Sequence, residues 1–112
     1  MTNVGKVESV WRYPVKSMRG HAMKEAFVGY GGLLGDRLYA FGSAKSPAGF
    51  PYVTGREIRQ MVTWEPRFVR PERSVLPPNL AEARALDPDL TPAPTAPGDM
   101  ALEVVLPDGR VL

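Results

Sequence analysis

Hydrophobic and polar residues alternate with a period of two over residues 7–13, a pattern typical of a β-strand with one face against a core. The face that carries the aromatic rings consists of Val7, Ser9, Trp11 and Tyr13. Because Trp11 and Tyr13 share this face with a valine, we expect them to be core residues and not a surface for stacking bases. Pro14 ends the strand, since it has no N–H to donate to a ladder.

Two further β-prone runs, Met23–Val28 and Arg37–Phe41, are rich in branched and aromatic residues. The glycines between them allow the positive φ angles of a tight chain reversal; they are Gly29, Gly31, Gly32 and Gly35. The pattern predicts an antiparallel meander. The expected fold class is mostly β: a small antiparallel β-barrel-like domain with one or two short helices and a long proline-rich loop.

The middle of the chain continues this pattern. Residues 43–51 are a predicted loop, and Tyr52–Thr54 is a short predicted strand. Residues 58–62 fit either one helical turn or the start of a strand, and the pattern leaves both open. Thr63–Val69 is a predicted strand in which Pro66 marks an edge or a bulge.

The composition changes over residues 71–99, where seven of the twelve prolines lie. Proline at this density excludes a long regular element. Within the stretch, the capping-box form of Asn79–Glu82 predicts a short helix over residues 80–86. Residues 91–97 predict an extended, mobile connector.

Residues 101–106 predict a strand, and Asp108-Gly109 is a strong signal for a hairpin turn. The return arm, residues 110–112, has only three residues, whereas hairpin arms are commonly about five residues long. We therefore expect the chain to stop in mid-strand and to be a fragment of, or a partner to, a longer protein.

A length of 112 residues indicates one small domain over residues 1–112. The chain has no Cys and one His, which excludes disulfides, thiolate metal sites and the usual zinc or haem sites. We expect His21 to lie at the surface in a turn. No apolar run approaches the roughly 20 residues of a membrane span, and the N-terminus is not a signal peptide. We expect a soluble, cytoplasmic protein without a membrane partner.

The net charge of +2 is unevenly distributed. Residues 1–75 carry twelve Lys/Arg and six Asp/Glu, whereas residues 76–112 carry two and six. A basic body with an acidic C-terminal part suits an anionic ligand or nucleic acid. The alternative is a solvated surface that happens to segregate its charges.

Six residues near predicted strand ends and turns carry donors suited to phosphate: an ammonium group, guanidinium groups and hydroxyls. They are Lys16, Ser17, Arg19, Arg37, Thr54 and Arg56. The alternatives are a solvated basic turn after Pro14, a local ion pair between Asp36 and Arg37, and pairing of Glu57 with a neighbouring arginine, Arg56 or Arg59. The residues alone leave these alternatives open.

Catalytic motifs are lacking. The glycines of residues 29–35 are followed by a strand-like run, whereas a dinucleotide fingerprint needs a helix there. Ser17 has only His21 as a nearby base, and no pair of carboxylates has a recognisable acid/base spacing. We expect no catalytic residue and no metal ligand, so the chain is not an enzyme in isolation.

Three motifs in this order resemble the N-terminal β-barrel domain of MOSC proteins, which precedes the molybdenum cofactor sulfurase C-terminal (MOSC) domain. The motifs are Trp11–Gly20, Gly31–Arg37 and Val53–Glu57. The resemblance is close over residues 4–70 and loose over residues 101–112. The proline-rich residues 71–99 depart from the family pattern and are interpreted as an insertion.

The resemblance implies a domain that helps to close the pocket for the molybdenum cofactor and contacts its pterin and phosphate. It assigns this role to Lys16, Ser17 and Arg37, with Thr54 and Arg56 as further candidates. The family's molybdenum-ligating Cys lies in the MOSC domain. The implied partner is therefore a MOSC C-terminal domain, in cis or in trans, within an oxidoreductase or a sulfur-transfer protein.

Two other functions stay open. A small basic β-barrel can bind single-stranded nucleic acid through charge and aromatic stacking, although nucleic acid is not the partner that we expect. An unpaired strand over residues 110–112 would instead suit a scaffold module that pairs with another protein chain.

Overall fold

The computed structural model describes residues 2–29, 31–45, 49–77, 79–89 and 97–112. The strands are β1 (Val10–Arg12), β2 (His21–Met23), β3 (Val28–Gly29), β4 (Gly32–Leu33), β5 (Phe41–Gly42), β6 (Tyr52–Val53), β7 (Glu65–Phe68) and β8 (Leu102–Val105). The helices are α1 (Leu80–Leu86) and the 3₁₀ helices Arg59–Thr63, Pro71–Arg73 and Pro97–Met100.

The strands pair in sequence order as four two-stranded antiparallel sheets: β1 with β2, β3 with β4, β5 with β6, and β7 with β8. The first three pairs join neighbouring segments, whereas the fourth joins segments separated by the proline-rich stretch. The predicted fold class, mostly β with antiparallel pairing and a short helix, is confirmed.

The inward face of the first strand is the opposite of the predicted one. Trp11 and Tyr13 are 49% and 40% exposed, whereas Arg12 is only 4% exposed. The prediction that the two aromatic residues are core residues was therefore wrong. Period-two alternation identifies the two faces of a strand, but it does not say which face a later segment will cover.

Arg12 is buried because its guanidinium finds acceptors far along the chain. Its Nη1 donates to the Ser74 carbonyl oxygen at 2.5 Å and to the Leu34 carbonyl oxygen at 3.3 Å, and its Nη2 donates to Ser74 Oγ at 2.8 Å. The guanidinium carbon lies 4.6 Å from the centre of the Phe68 ring. Burial lowers the pKa of Arg12 from its usual value, and the nearby charge of Asp36 opposes this shift.

Gly35 leaves the space that Arg12 occupies. Its φ is +83°, and a Cβ at this position would come within 2.5 Å of Arg12 Nη1. Glycine is therefore required here both by the backbone conformation and by the close approach of the arginine. The glycine-rich turn thus serves the packing of β1 as well as the chain reversal between β3 and β4.

The two β-prone runs after β1 are only partly strands. Met23–Val28 contributes the last residue of β2 and the first of β3, and Arg37–Phe41 contributes only the first residue of β5. In that run, Leu38 N and Tyr39 N both donate to the Pro14 carbonyl oxygen. His21 begins β2 and is half-buried with its ring 6.4 Å from that of Phe68, so its prediction as a surface turn residue was wrong.

The β7–β8 ladder confirms the predicted strands and explains how Pro66 fits within one. Val69 N donates to the Ala101 carbonyl oxygen, so these two residues form a hydrogen-bonded pair. Hydrogen-bonded and non-hydrogen-bonded pairs alternate along an antiparallel ladder. Pro66 opposes Val104 and therefore falls in a non-hydrogen-bonded pair, where its missing N–H costs the ladder nothing.

The C-terminal hairpin is also confirmed. Gly109 has a φ of +91°, and Leu106 N donates to the Arg110 carbonyl oxygen at 2.8 Å. Val105 and Val111 form an antiparallel bridge beyond the turn.

Helix α1 covers the predicted residues 80–86, but the predicted capping box is wrong. Asn79 has left-handed backbone angles (φ 61°, ψ 20°) and makes no side-chain cap hydrogen bond. An N-cap residue needs an extended backbone to aim its side chain at the first helical N–H groups. For residues 58–62 the structure selects the helical alternative, the 3₁₀ helix Arg59–Thr63. The connector predicted over 91–97 lies, up to its last residue, outside the described residues.

The hydrophobic core lies where the segment after Pro14 meets β8 and the 3₁₀ helix Arg59–Thr63. Its buried members are Val15, Met18, Met61 and Val104, and partly buried side chains packed against them are Val53, Trp64 and Leu102. This core is next to two of the residues predicted to bind a ligand, since Val15 and Met18 flank Lys16 and Ser17. In the described ranges, no helix has the length and apolar character needed to cross a membrane.

Candidate functional site

Four of the six predicted binding residues line one cavity of about 560 Å³. They are Lys16, Ser17, Thr54 and Arg56. The cavity is also lined by Phe50, Gly55 and Glu57. It therefore joins the segment after Pro14 to the loop after β6, two segments that are distant in sequence.

Lys16 and Ser17 are held by the backbone around them. Val15 forms a parallel bridge with Tyr39, and Lys16 N donates to the Tyr39 carbonyl oxygen at 3.0 Å. Met18 N then closes a turn onto the Val15 carbonyl oxygen at 3.2 Å. Ser17, at the tip of this turn, has a φ of +71°, a conformation that is unfavourable for a residue with a Cβ. The turn presents the ammonium and hydroxyl groups above a buried core.

The loop after β6 is shaped by Thr54 and Glu57. Thr54 N and Thr54 Oγ1 both donate to Glu57 Oε2 at 2.8 Å, and Arg56 N donates to Thr54 Oγ1 at 3.2 Å. The Thr54 hydroxyl proton is thus engaged within the loop, and the residue is buried. Thr54 therefore positions the loop, whereas the exposed Arg56 side chain can reach a ligand.

Glu57 brings a carboxylate into a cavity that otherwise carries cationic and hydroxyl groups. Hydrogen bonds from Thr54, first from its backbone N–H and then from its hydroxyl, lower the pKa of Glu57 below its ordinary value. The attraction of Arg56 contributes less to this shift. In the part of the chain that is described, Glu57 forms no ion pair with Arg56 or Arg59, so its main partner is Thr54.

Gly55 places the loop against the Lys16–Ser17 turn. A Cβ on Gly55 would lie 3.7 Å from Ser17 Cβ and 3.9 Å from Ser17 Oγ. Because glycine has no Cβ, the loop lies near the Ser17 turn with room for about one added carbon atom between them. This approach brings Ser17 and Arg56 to the same cavity.

Arg37 lines an adjoining cavity of about 540 Å³, which shares Lys16 and Phe50 with the first one. Its guanidinium donates to Asp36 Oδ2 at 2.7 Å, and Asp36 Oδ1 accepts from Tyr13 N at 2.6 Å. Asp36 thus orients Arg37 and also anchors the end of β1. Arg37 has a φ of +48°, again an unusual conformation for a residue other than glycine.

Arg19 does not line either cavity. Its backbone N–H donates to the Trp64 carbonyl oxygen at 3.0 Å, and the residue is exposed. The structure therefore separates it from the other predicted binding residues.

Phe50 lines both cavities, although it was not among the residues predicted from the sequence. Lys16 Nζ lies 5.7 Å from the centre of the Phe50 ring, within the range of a cation–π contact. Phe50 comes from a predicted loop, and its only signal was a large apolar residue next to a proline. Gly55 and Glu57 belonged to a recognised motif, but their roles depend on contacts that the motif does not reveal.

Metal ligands are not grouped in the described ranges, where no three His, Cys, Asp or Glu residues converge. The sequence has no Cys at all. The donor set of the cavity, an ammonium, a hydroxyl and a guanidinium, instead suits an anionic group such as phosphate.

Neither a curated protein nor a solved structure matches the chain. A family profile does match, over residues 4–105, and its description is "MOSC N-terminal beta barrel domain". This range includes all three motifs of the sequence analysis and every residue that lines the two cavities. Since the match covers nearly the whole chain, the protein belongs to the MOSC N-terminal beta barrel domain family.

Proposed function

We propose that this domain binds the phosphate-bearing pterin part of the molybdenum cofactor, as the accessory domain of a MOSC-type molybdoenzyme. The observation that carries the proposal is the convergence of Lys16, Ser17 and Arg56 on one cavity. These three side chains come from two segments that belong to separate sequence motifs, Trp11–Gly20 and Val53–Glu57, both within the range of the family match. A cavity of this size lies within the usual range of small-molecule sites, roughly 300–1,000 Å³.

Each donor has a distinct part in holding the anion. Lys16 supplies a compact charge, Ser17 a hydroxyl that can rotate toward an oxygen, and Arg56 a planar fork that can bind two phosphate oxygens. Thr54 and Glu57 shape the loop that carries Arg56. Arg37 adds positive charge from the adjoining cavity across Lys16.

The chain's own contribution is binding and orientation. Its residues fit the phosphate of the cofactor, but without cysteine they provide no thiolate for the metal. The bound cofactor would supply the redox chemistry at its metal. We propose that a MOSC C-terminal domain, in cis or in trans, supplies the metal ligand and completes the pocket.

One observation favours a second candidate function, the binding of single-stranded nucleic acid. Trp11 in β1 and Tyr13 directly after it are exposed, and the Arg37 guanidinium carbon lies 5.6 Å from the centre of the Tyr13 ring. Exposed rings beside a cation can stack nucleobases. This surface does not contain Ser17 or Arg56, so the two functions involve different amides.

The test is an NMR titration of the 112-residue chain with a phosphorylated pterin, with inorganic phosphate and a short single-stranded DNA as comparisons. Saturable shifts of the amides of residues 16–17 and 54–56 with the pterin are the expected result. Shifts centred on Trp11 and Tyr13 with DNA, lost steeply with salt, would support the second candidate.

The matched variants are Lys16→Met, in the cavity, and Lys24→Met, an exposed lysine outside it. We expect Lys16→Met to weaken pterin binding by about tenfold, because a charge-assisted hydrogen bond contributes about 1.5–3 kcal/mol. Lys24→Met should bind like the unmodified chain. Equal losses in both variants would mean that only overall charge matters, and the proposed site would be wrong.

A further inference from the structure

The cavity next to the proposed phosphate site has a different character. It is lined by Lys16, Arg37, Leu38, Tyr39, Ala40, Phe50 and Tyr52. Three of these seven residues are aromatic, whereas Phe50 is the one aromatic residue in the described lining of the proposed phosphate site. The two cavities meet at Lys16 and Phe50, which line both.

The three rings are half-exposed on this wall. Tyr39, Phe50 and Tyr52 have exposed fractions of 42%, 46% and 44%. Phe50 and Tyr52 contact each other edge to face, with ring centres 5.5 Å apart and an interplanar angle of 84°. This arrangement leaves ring faces and edges available for another aromatic group, for which stacked and edge-to-face contacts are both favourable.

The charges of the cavity favour an anion. Among the described residues that line it, Lys16 and Arg37 are cationic and none carries a carboxylate, whereas Glu57 lines the neighbouring site. Asp36 offsets part of the charge of Arg37, but it also fixes the direction of that guanidinium at 2.7 Å. Lys16 Nζ, at 5.7 Å from the Phe50 ring centre, places a positive charge beside an aromatic ring.

Two of the three residues of the wall, Tyr39 and Tyr52, are anchored by the fold itself. Tyr39 Oη donates to the Met100 carbonyl oxygen at 2.9 Å, and Tyr39 N donates to the Pro14 carbonyl oxygen at 3.1 Å. Tyr52 lies in β6, opposite Gly42 of β5. Little conformational entropy is lost when a ligand binds to side chains that are already ordered.

We propose that this second cavity binds a small planar aromatic carboxylate, separately from the phosphate-bearing ligand. The carboxylate contacts Lys16 and Arg37, and the ring packs among Tyr39, Phe50 and Tyr52. A ligand here and a phosphate at Ser17 and Arg56 would occupy adjoining cavities that share Lys16 and Phe50. This site goes beyond the proposed function, since it needs neither a pterin nor a phosphate.

The first test is an NMR titration of the chain with three probes: sodium benzoate, sodium cyclohexanecarboxylate and benzyl alcohol. The second probe keeps the charge without the aromatic ring, and the third keeps the ring without the charge. We expect saturable shifts of the amides of residues 38–40 and 52 with benzoate, with a Kd at least about threefold lower than with either control. Equal affinity for benzoate and cyclohexanecarboxylate would overturn the proposal.

The second test compares Tyr52→Leu with Trp11→Leu, an exposed aromatic residue that does not line the cavity. Tyr52→Leu should weaken benzoate binding by at least about threefold, and Trp11→Leu should not. Tyr52 lies in a strand, so its substitution could disturb the fold, and Arg37→Gln is therefore the second variant. Arg37 is exposed and outside the strands, so this substitution should weaken benzoate binding and leave the strands intact. Unchanged benzoate binding in a folded Arg37→Gln would contradict the proposal.

A pterin phosphate titration of the same variants separates this proposal from the proposed function. Tyr52→Leu should leave pterin phosphate affinity within about twofold, because Tyr52 does not line the phosphate site. If Tyr52→Leu loses affinity for both benzoate and the pterin phosphate, the two cavities form one continuous site, and the proposal of a separate second site is wrong. Benzoate binding without pterin binding would instead overturn only the proposed function.

Discussion

Arg12 and Lys16 are four positions apart, yet the structure treats their charges in opposite ways. Arg12 is buried, and its terminal nitrogens donate to carbonyl and hydroxyl oxygens of Leu34 and Ser74. Lys16 is exposed between two cavities, and within the described ranges it forms no ion pair. One cation is used by the fold, and the other remains exposed at the cavities.

The difference follows from what surrounds each charge. A buried cation needs hydrogen-bond acceptors because its desolvation is costly, and Arg12 has them except at Nε, for which the described residues offer no partner. A solvated cation needs no protein acceptors because water hydrates it. The side chain of Lys16 is exposed, and its backbone is held by the neighbouring core residues Val15 and Met18. The lesson is that charge alone does not identify a binding residue; the acceptors already engaged by the charge must be counted.

The most severe test of this contrast is Arg12→Met. Removal of the guanidinium leaves the buried oxygens of Ser74 without their donors, so we expect a loss of about 3 kcal/mol in the free energy of unfolding. The measurement is urea unfolding followed by tryptophan fluorescence. Arg84→Met, on the exposed side of α1, is the matched control and should leave the midpoint unchanged. A similar small effect of both substitutions would show that Arg12 does not stabilise the fold.

Gly35→Ala tests the packing of Arg12 by changing the residue that leaves space for its guanidinium. The left-handed φ of +83° costs about 1–2 kcal/mol with a Cβ, and displacement of Arg12 costs about 1 kcal/mol more. Gly32→Ala is the control, because Gly32 has a φ of +104° but nothing within 4 Å of its added Cβ. Gly35→Ala should lower the free energy of unfolding more than Gly32→Ala does, and this difference should disappear when Arg12 is also replaced by Met. If the losses caused by Gly35→Ala and Arg12→Met simply add, the contact between Gly35 and Arg12 does not stabilise the fold.

Glu57→Gln tests the loop that lines the cavity beside Lys16, and it has the smallest expected effect on the free energy of unfolding. Because hydrogen bonds from Thr54 lower the pKa of Glu57 in the folded state, its ionised form stabilises the fold above its ordinary pKa of 4.5. This contribution is lost as the pH falls through the lowered folded-state pKa. The stability gap between the unmodified chain and Glu57→Gln should therefore narrow from about pH 7 to about pH 3.

The measurement is the urea midpoint of both proteins across that pH range, together with the amide shift of Thr54. Asp108→Asn is the control, since hydrogen bonds from Arg110 likewise lower the pKa of Asp108, in a hairpin far from the loop in sequence. It should reproduce the narrowing without moving the Thr54 amide. A gap that does not change with pH would mean that the ionised carboxylate is not what holds the loop.

The sequence predicted the elements that depend on local chemistry. Helix α1, the β7 strand with its internal Pro66, and the hairpin at Gly109 all follow from propensity and turn preferences. It missed the burial of Arg12, because the acceptors of that side chain are on Ser74, 62 positions away. It also missed the left-handed conformation of Asn79, which no capping pattern indicates.

The candidate site, like the fold, was predicted only in part from the sequence. Lys16, Ser17 and Arg56 were recognised by their chemistry and by the family resemblance, and the structure brings them to one cavity. Arg19 was chosen by proximity in sequence, but the turn at Ser17 leads it away toward Trp64. Phe50 could not be found, since its role depends only on tertiary contact with Lys16.

The left-handed conformation of Ser17 has a consequence for anyone who engineers this domain. At a φ of +71°, glycine would be the more stable residue, and a design that optimises folding alone would select it. The same substitution would delete the hydroxyl that, among the described residues lining the cavity shared with Lys16 and Arg56, is not engaged in the loop of Thr54. For the phosphate binding that we propose, thermal stability and ligand affinity would therefore oppose each other at this single position, and selection for one would erode the other.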